Sequence, residues 1–220
     1  MRAPPGRVGT PLPRLLPPGA AVLAVLLVLG CARGGERRAE PPRAPSPLHL
    51  GGQRVLVLPL QSMVGLPEGG RERLNAEILF ALGERDGRVV WFPPAELQRA
   101  LSRSPAYAAA PHALPADPVL QHREPRVTEP LAGELRRYSA LMDARLVLLL
   151  REARFARAAD ADVGNLRIGA VLLDARSGRV LWWGEAAGDA SATPDPAAAA
   201  SAAAALAERL LAIPARESSE

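Results

Sequence analysis

The segment LRIGAVLLDARSGRVLWWGEA, residues 166–186, sets two apolar runs on either side of a short polar joint. The joint, Ala175-Arg176-Ser177-Gly178, ends on glycine, the residue that most readily takes a positive φ. Strand-length apolar runs around such a joint predict an antiparallel hairpin, LRIGAVLLD (166–174) followed by RVLWWGEAAG (179–188). Trp182 and Trp183 are adjacent on the second strand and therefore point to opposite faces. One is predicted to enter the core beneath a helix. The other is either covered by the opposite layer or left as an anchor for a partner, because tryptophan is enriched in interface hot spots.

Upstream, ARLVLLLREARFA (144–156) reads as a further strand, and VLVLPL (55–60) as one covered on both faces, since its apolar run does not alternate. The Gly/Pro-containing loop 61–70 leads to a helix at about 71–85, where Leu74, Ile78, Ala81 and Leu82 recur at helical spacing. Gly87 is read as its end, and RVVWF (88–92) as the next strand. Strand, helix and strand of these lengths predict a right-handed βαβ unit with a parallel pair.

Pro93-Pro94 open a short helix at 94–103, since proline is tolerated at a helix start. Leu131, Leu135, Tyr138 and Met142 mark another helix at 128–142. Asp195 is the predicted N-cap of the last helix, with Pro196 as its first residue and Leu206, Leu210 and Ile213 as its buried stripe. Residues 104–126 carry Pro105, Pro111, Pro115, Pro118 and Pro125 and read as a long surface excursion. The predicted fold is α/β: a single mixed sheet of about five strands, a βαβ unit plus antiparallel C-terminal strands, flanked by helices over 53–214.

The first 30 residues have a different character. A basic, acid-free, Pro-rich start precedes the apolar run GAAVLAVLLVLG (19–30). Twelve helical residues rise only about 18 Å, against a hydrocarbon core of about 30 Å, so the run suits a secretory signal better than a membrane span. Val28-Leu29-Gly30-Cys31 resembles the bacterial lipobox, and Cys31 is the single cysteine of the chain. The resemblance implies a diacylglyceryl group on the Cys31 thiol and cleavage just before it. The alternative is a plain signal peptide or an uncleaved anchor with an incidental cysteine. Residues 31–52 are Pro- and Arg-rich without apolar periodicity and read as a tether, in which 32–50 alone would reach up to about 60 Å.

The leader also explains the charge. The chain carries a net +4, with 27 basic residues, none of them lysine, against 23 acidic ones. Arg2, Arg7 and Arg14 precede Cys31 and no acid does, so a chain cut there is close to neutral. With no basic block interleaved with aromatics, nucleic acid is not an expected partner. The lack of lysine removes Walker-A, Schiff-base and Ser-Lys chemistry.

Three further motifs fall short of a site. His112 and His122, with Asp117 between them, match no compact metal-ligand spacing. In DADVGN (160–165) the calcium-loop position that needs a bidentate Glu is Val171. GLPEGG (65–70) lacks the spacing of a phosphate loop and reads as a strand-to-helix turn. Ser62 and Ser104 stand in no nucleophile-elbow context, and His49 falls in the tether. No enzyme, metal or cofactor is called for.

RVLVLPL followed by a helix, RVVWF followed by a helix carrying AELQRAL, and DARLVLLLREARF together resemble a family of small periplasmic lipoproteins. Its hairpin wording, D-x-x-[TS]-G-x-[VI]-x-W, is met by Asp174, Ser177, Gly178, Val180 and Trp182. The family groups the curli-secretion channel lipoproteins and the penicillin-binding-protein activator lipoproteins, and the resemblance covers about 53–213. It implies a mixed sheet flanked by helices and a non-catalytic accessory or scaffold role in a cell-envelope assembly. Peptidoglycan-synthesis activation or support of a secretion or outer-membrane complex would fit. The alternative is an oligomeric export channel of the curli type, but 104–126 does not alternate as a membrane hairpin would. The expected anchor is the lipid on Cys31, at the periplasmic face of the outer membrane. The expected protein-contact residues are Trp182 and Trp183.

Overall fold

The computed structural model describes residues 50–104, 110–157 and 161–212. The predicted leader, Cys31, His49, Asp160 and Ile213 lie outside the described residues. The elements in chain order are β1 (Arg54–Leu58), β2 (Ser62–Val64), α1 (Gly70–Arg85), β3 (Val90–Phe92), α2 (Pro94–Ser102) and α3 (Pro118–Gln121). They continue with α4 (Leu131–Met142), β4 (Leu146–Arg157), β5 (Gly164–Asp174), β6 (Arg179–Ser191) and α5 (Pro196–Leu210). The strands form one mixed sheet in the order β3-β1-β4-β5-β6. β1 is parallel to β3 and β4, while β4, β5 and β6 form an antiparallel meander.

Both faces of the sheet are covered near its centre, which is why the central strands read as unbroken apolar runs. Val55 and Val57 pack beneath α1 and α5 with Leu74, Ile78, Leu82 and Leu206. Leu56 and Leu58, one pleat over, pack beneath α2 and α4 with Leu97, Leu131 and Leu135. Each such aliphatic side chain, removed fully from water, contributes about 1.5–3 kcal/mol. Leu50, which composition places in the tether, is already buried in the first of these cores.

The five strands of that order are joined, among the described residues, by a short sixth, because the predicted loop 61–70 begins with β2, which pairs with β4. Pro59 has no N–H, and the Leu60 N–H donates to Asn75 Oδ1 of α1 at 3.1 Å, so the ladder breaks there. It resumes when the Gln61 N–H donates to the Leu150 carbonyl at 3.0 Å, and Ser62 pairs with Glu152 in parallel. The excursion 104–126 stays largely at the surface where it is described, with 121–126 exposed, but it is pinned to the domain at several points. The Gln61 side chain donates to the Pro111 carbonyl (2.8 Å) and accepts from the Leu114 N–H (3.1 Å). Further on, α3 buries Val119 completely.

The hairpin forms as its sequence requires. Gly178 has φ 67°, the left-handed conformation that the joint needs. Asp174, buried at the end of β5, accepts from the N–H groups of Arg176 (2.9 Å) and Ser177 (3.0 Å). Its other oxygen accepts from Arg145 Nε at 2.6 Å, which ties the turn to the entrance of β4. Burial by itself would raise the Asp174 pKa. The Ser177 N–H, then Arg145 and the Arg176 N–H outweigh it and hold the carboxyl below its ordinary value. At the last helix, Asp195 accepts from the Ala198 N–H at 2.8 Å and Pro196 follows, as predicted.

Candidate functional site

The two helical layers do not cover the sheet equally. Beneath α2–α4 the apolar packing takes in Val147 and Leu149 of β4 and Val171 and Leu173 of β5. Farther along the same face the side chains are Glu152, Arg154, Arg167 and Glu185, each about 39–49% exposed. The change occurs at a β-bulge. Leu150 pairs with Ala170 and Glu152 with Gly169, leaving Arg151 as the extra residue. Because Leu150 and Ala153 both enter the α1/α5 core, Arg151 and Glu152 both turn toward the opposite face.

Arg151 lies at the border between the covered and bare regions. Its guanidinium stacks on the Trp183 ring at 4.1 Å from the centroid. Its Nε donates to the Leu120 carbonyl, just before the 121–123 segment, at 2.6 Å. Burial draws the Arg151 pKa below its ordinary value, with Glu152 and Glu185 opposing that shift. Arg151, Arg154, Arg167, Trp183 and Glu185, with Arg123 from the loop, surround a cleft of about 350 Å³. Arg154 faces Glu152 at 3.6 Å and Arg167 faces Glu185 at 3.4 Å. Among the described residues neither Arg151 nor Arg123 has a carboxylate partner.

The two predicted tryptophans do point to opposite faces. Trp182 packs, half-buried, on the α1/α5 core and lies over Gly184, where an added Cβ would stand 2.2 Å from the indole. Trp183 packs against the α2–α4 core and carries Arg151 on its ring. Neither is fully exposed. What the sequence reading missed is Arg151. The signal was present as Arg151-Glu152 interrupting LVLLL, since a charge inside an aliphatic strand marks the point where one face loses its cover.

The other candidates separate. Asp117 is the N-cap of α3, and its carboxylate accepts from the Val119 N–H and from both Thr128 donors at 2.7–2.8 Å. Among the described residues no three His, Cys, Asp or Glu side chains gather around a metal-sized point. In GLPEGG, Gly65 and Gly69 take positive φ and shape the turn into α1. Of DADVGN, Gly164 and Asn165 belong to β5, and Asn165 donates to the Gly188 carbonyl at 2.8 Å. A second cleft, of about 430 Å³, is lined by Arg54, Arg136, Arg145 and Arg176. Three of those are matched already, to Asp143, Glu129 and Asp174 respectively. No helix among the described residues is long and apolar enough to cross a membrane.

No protein-family model and no curated protein matches the chain. Among solved structures it is similar to lipoprotein GNA1162 from Neisseria meningitidis, at 17% identity and a TM-score of 0.42, over 65% of this chain and 87% of that one. It is also similar to the LpoB C-terminal domain from Salmonella enterica, at 14% identity and a TM-score of 0.40, over 63% and 84% of the two chains. A third likeness is to the PelC dodecamer from Paraburkholderia phytofirmans, at 14% identity and a TM-score of 0.40, over 76% and 92%.

Proposed function

We propose that this chain is a lipid-anchored periplasmic protein that works by binding, as a non-catalytic accessory or scaffold subunit of a cell-envelope assembly. The observation that carries the reading is the lipobox Val28–Cys31 placed ahead of a tether and an α/β domain. Lipid on Cys31 fixes the chain to the membrane, since each buried methylene contributes about 0.8 kcal/mol and more than one acyl chain gives stable anchoring. The tether gives the domain reach. The bare β4-β5-β6 face, with Trp183 beneath Arg151 at its border, supplies the surface for a protein partner. Trp182 serves the α1/α5 core and the close approach at Gly184.

Labelled palmitate fed to cells making the full chain tests the anchor. The wild type takes up label and fractionates with the outer membrane, whereas Cys31→Ser takes up none and is released from the membrane. Equal labelling of the two, or an intact mass that retains residues 1–30, overturns the reading. Leakage of liposomes by the purified lipidated protein would favour an export channel over an accessory subunit.

A further inference from the structure

We propose that the Arg151 cleft is a receptor for carboxylates and seats an acidic, extended peptide segment of the partner. The inference deepens the binding reading above and rests on it for the existence of a partner. Its own support is the unmatched charge on the face. Glu152 and Glu185 are spoken for by Arg154 and Arg167. That leaves Arg151 and Arg123 as cations with no carboxylate in ion-pair distance among the described residues, and the cleft lining carries more arginines than carboxylates, an excess that an acidic partner balances.

Arg151 is also held ready for such a partner. One of its five donors is used, by Leu120, and the Trp183 ring fixes the plane of its guanidinium. Its Nη1 lies above Gly169, 3.6 Å from where a Cβ would stand, so the floor of the cleft is open at the point where those donors emerge. A guanidinium fixed in plane presents paired N–H groups in the geometry that a carboxylate accepts, and little side-chain freedom is left to lose on binding. The half-buried position makes the contact stronger than one on an open surface. A cleft of about 350 Å³ exceeds the size of one carboxylate and has room for successive acidic side chains along Arg151 and Arg123.

Binding of a labelled peptide of alternating Glu and Ser to the full chain in detergent tests the proposal, with Trp183 emission and anisotropy as readouts. The Glu peptide is expected to bind, to shift the emission in the wild type but not in Trp183→Phe, and to weaken as salt rises. Arg151→Gln is expected to weaken binding by about tenfold or more, Arg123→Gln by a smaller factor, and the remote Arg209→Gln not at all. Should Arg151→Gln fail to fold, the double variant Arg154→Gln/Arg167→Gln, whose side chains stand clear of the core, must weaken binding instead. Wild-type affinity in a folded Arg151→Gln variant, or in that double variant, overturns the proposal. So does equal binding of the matching Gln peptide. Displacement of the Glu peptide by inorganic phosphate at equal concentration would identify a site for free anions and overturn the peptide assignment. Loss of palmitate labelling would leave these affinities unchanged, so failure of the anchor and failure of the receptor are read separately.

Discussion

Within β4, Leu146–Leu150 and Glu152–Arg157 belong to one strand but sit in different surroundings. The first five side chains are buried, alternately beneath α1/α5 and beneath α2–α4. After the bulge at Arg151 the described residues cover only one face, so buried Ala153 alternates with exposed Arg154. The near half is held by apolar burial and makes the fold. The far half keeps a single core face and turns polar side chains outward, where they are available for recognition. A change in the near half should therefore cost stability, and a change in the far half should cost binding with little loss of stability.

The largest effect that could break this division is Leu148→Ala in the near half. It removes a fully buried side chain and is expected to cost about 3–5 kcal/mol in denaturant unfolding. A loss under about 1 kcal/mol would mean that the near half is not the structural one.

Asp174→Ala comes next, at about 2–3 kcal/mol, because two turn N–H groups and Arg145 lose their acceptor. The same carboxylate gives the molecule a pH dependence. Its pKa is lowered in the folded state, so its contribution is complete above the ordinary value of 3.8 and fades as pH falls through the lower folded value. Stability measured across that acidic window should fall in the wild type, and Asp174→Asn should flatten the slope.

Gly184→Ala is expected to cost about 1–3 kcal/mol, since the new methyl meets the Trp182 indole. Trp182→Leu should recover part of that loss in a double-mutant cycle, and additive effects would show that the two residues are not in contact. The smallest change expected is for Glu185→Gln in the far half. An exposed pair such as Arg167–Glu185 contributes little, so the unfolding free energy measured in denaturant should stay within about 0.5 kcal/mol of wild type. A larger loss would give the far half a structural role.

Much of the near half could be read from the residues. Val55–Leu58 and Leu146–Leu150 are aliphatic without alternation, and only a doubly covered strand asks for that pattern. The hairpin was equally plain, because Gly178 and Asp174 do local work that their neighbours in sequence reveal. What could not be read depends on distant chain. Strand β2 exists because Asn75 of α1 takes the Leu60 N–H, and α3 is held because Thr128 reaches Asp117. The candidate site belongs to the same class. Trp183 was singled out, but the arginine stacked on it comes from a bulge thirty-odd residues earlier, and a register shift leaves no local mark beyond a charge inside an apolar run.

The position of β1 has a consequence for how the chain is made. Among the described residues it is the first strand in sequence and yet lies inside the sheet, with β3 on one side and β4 on the other. Val55 pairs with Leu146, so one edge of β1 has no partner until β4 exists. The β4-β5-β6 meander closes over short connections and has low contact order, whereas joining β1 to β4 closes a long loop. Folding in which the meander forms first and β1 docks second follows from that topology. A ribosome delivering the chain from its N-terminus would therefore release an apolar strand well before its central partner.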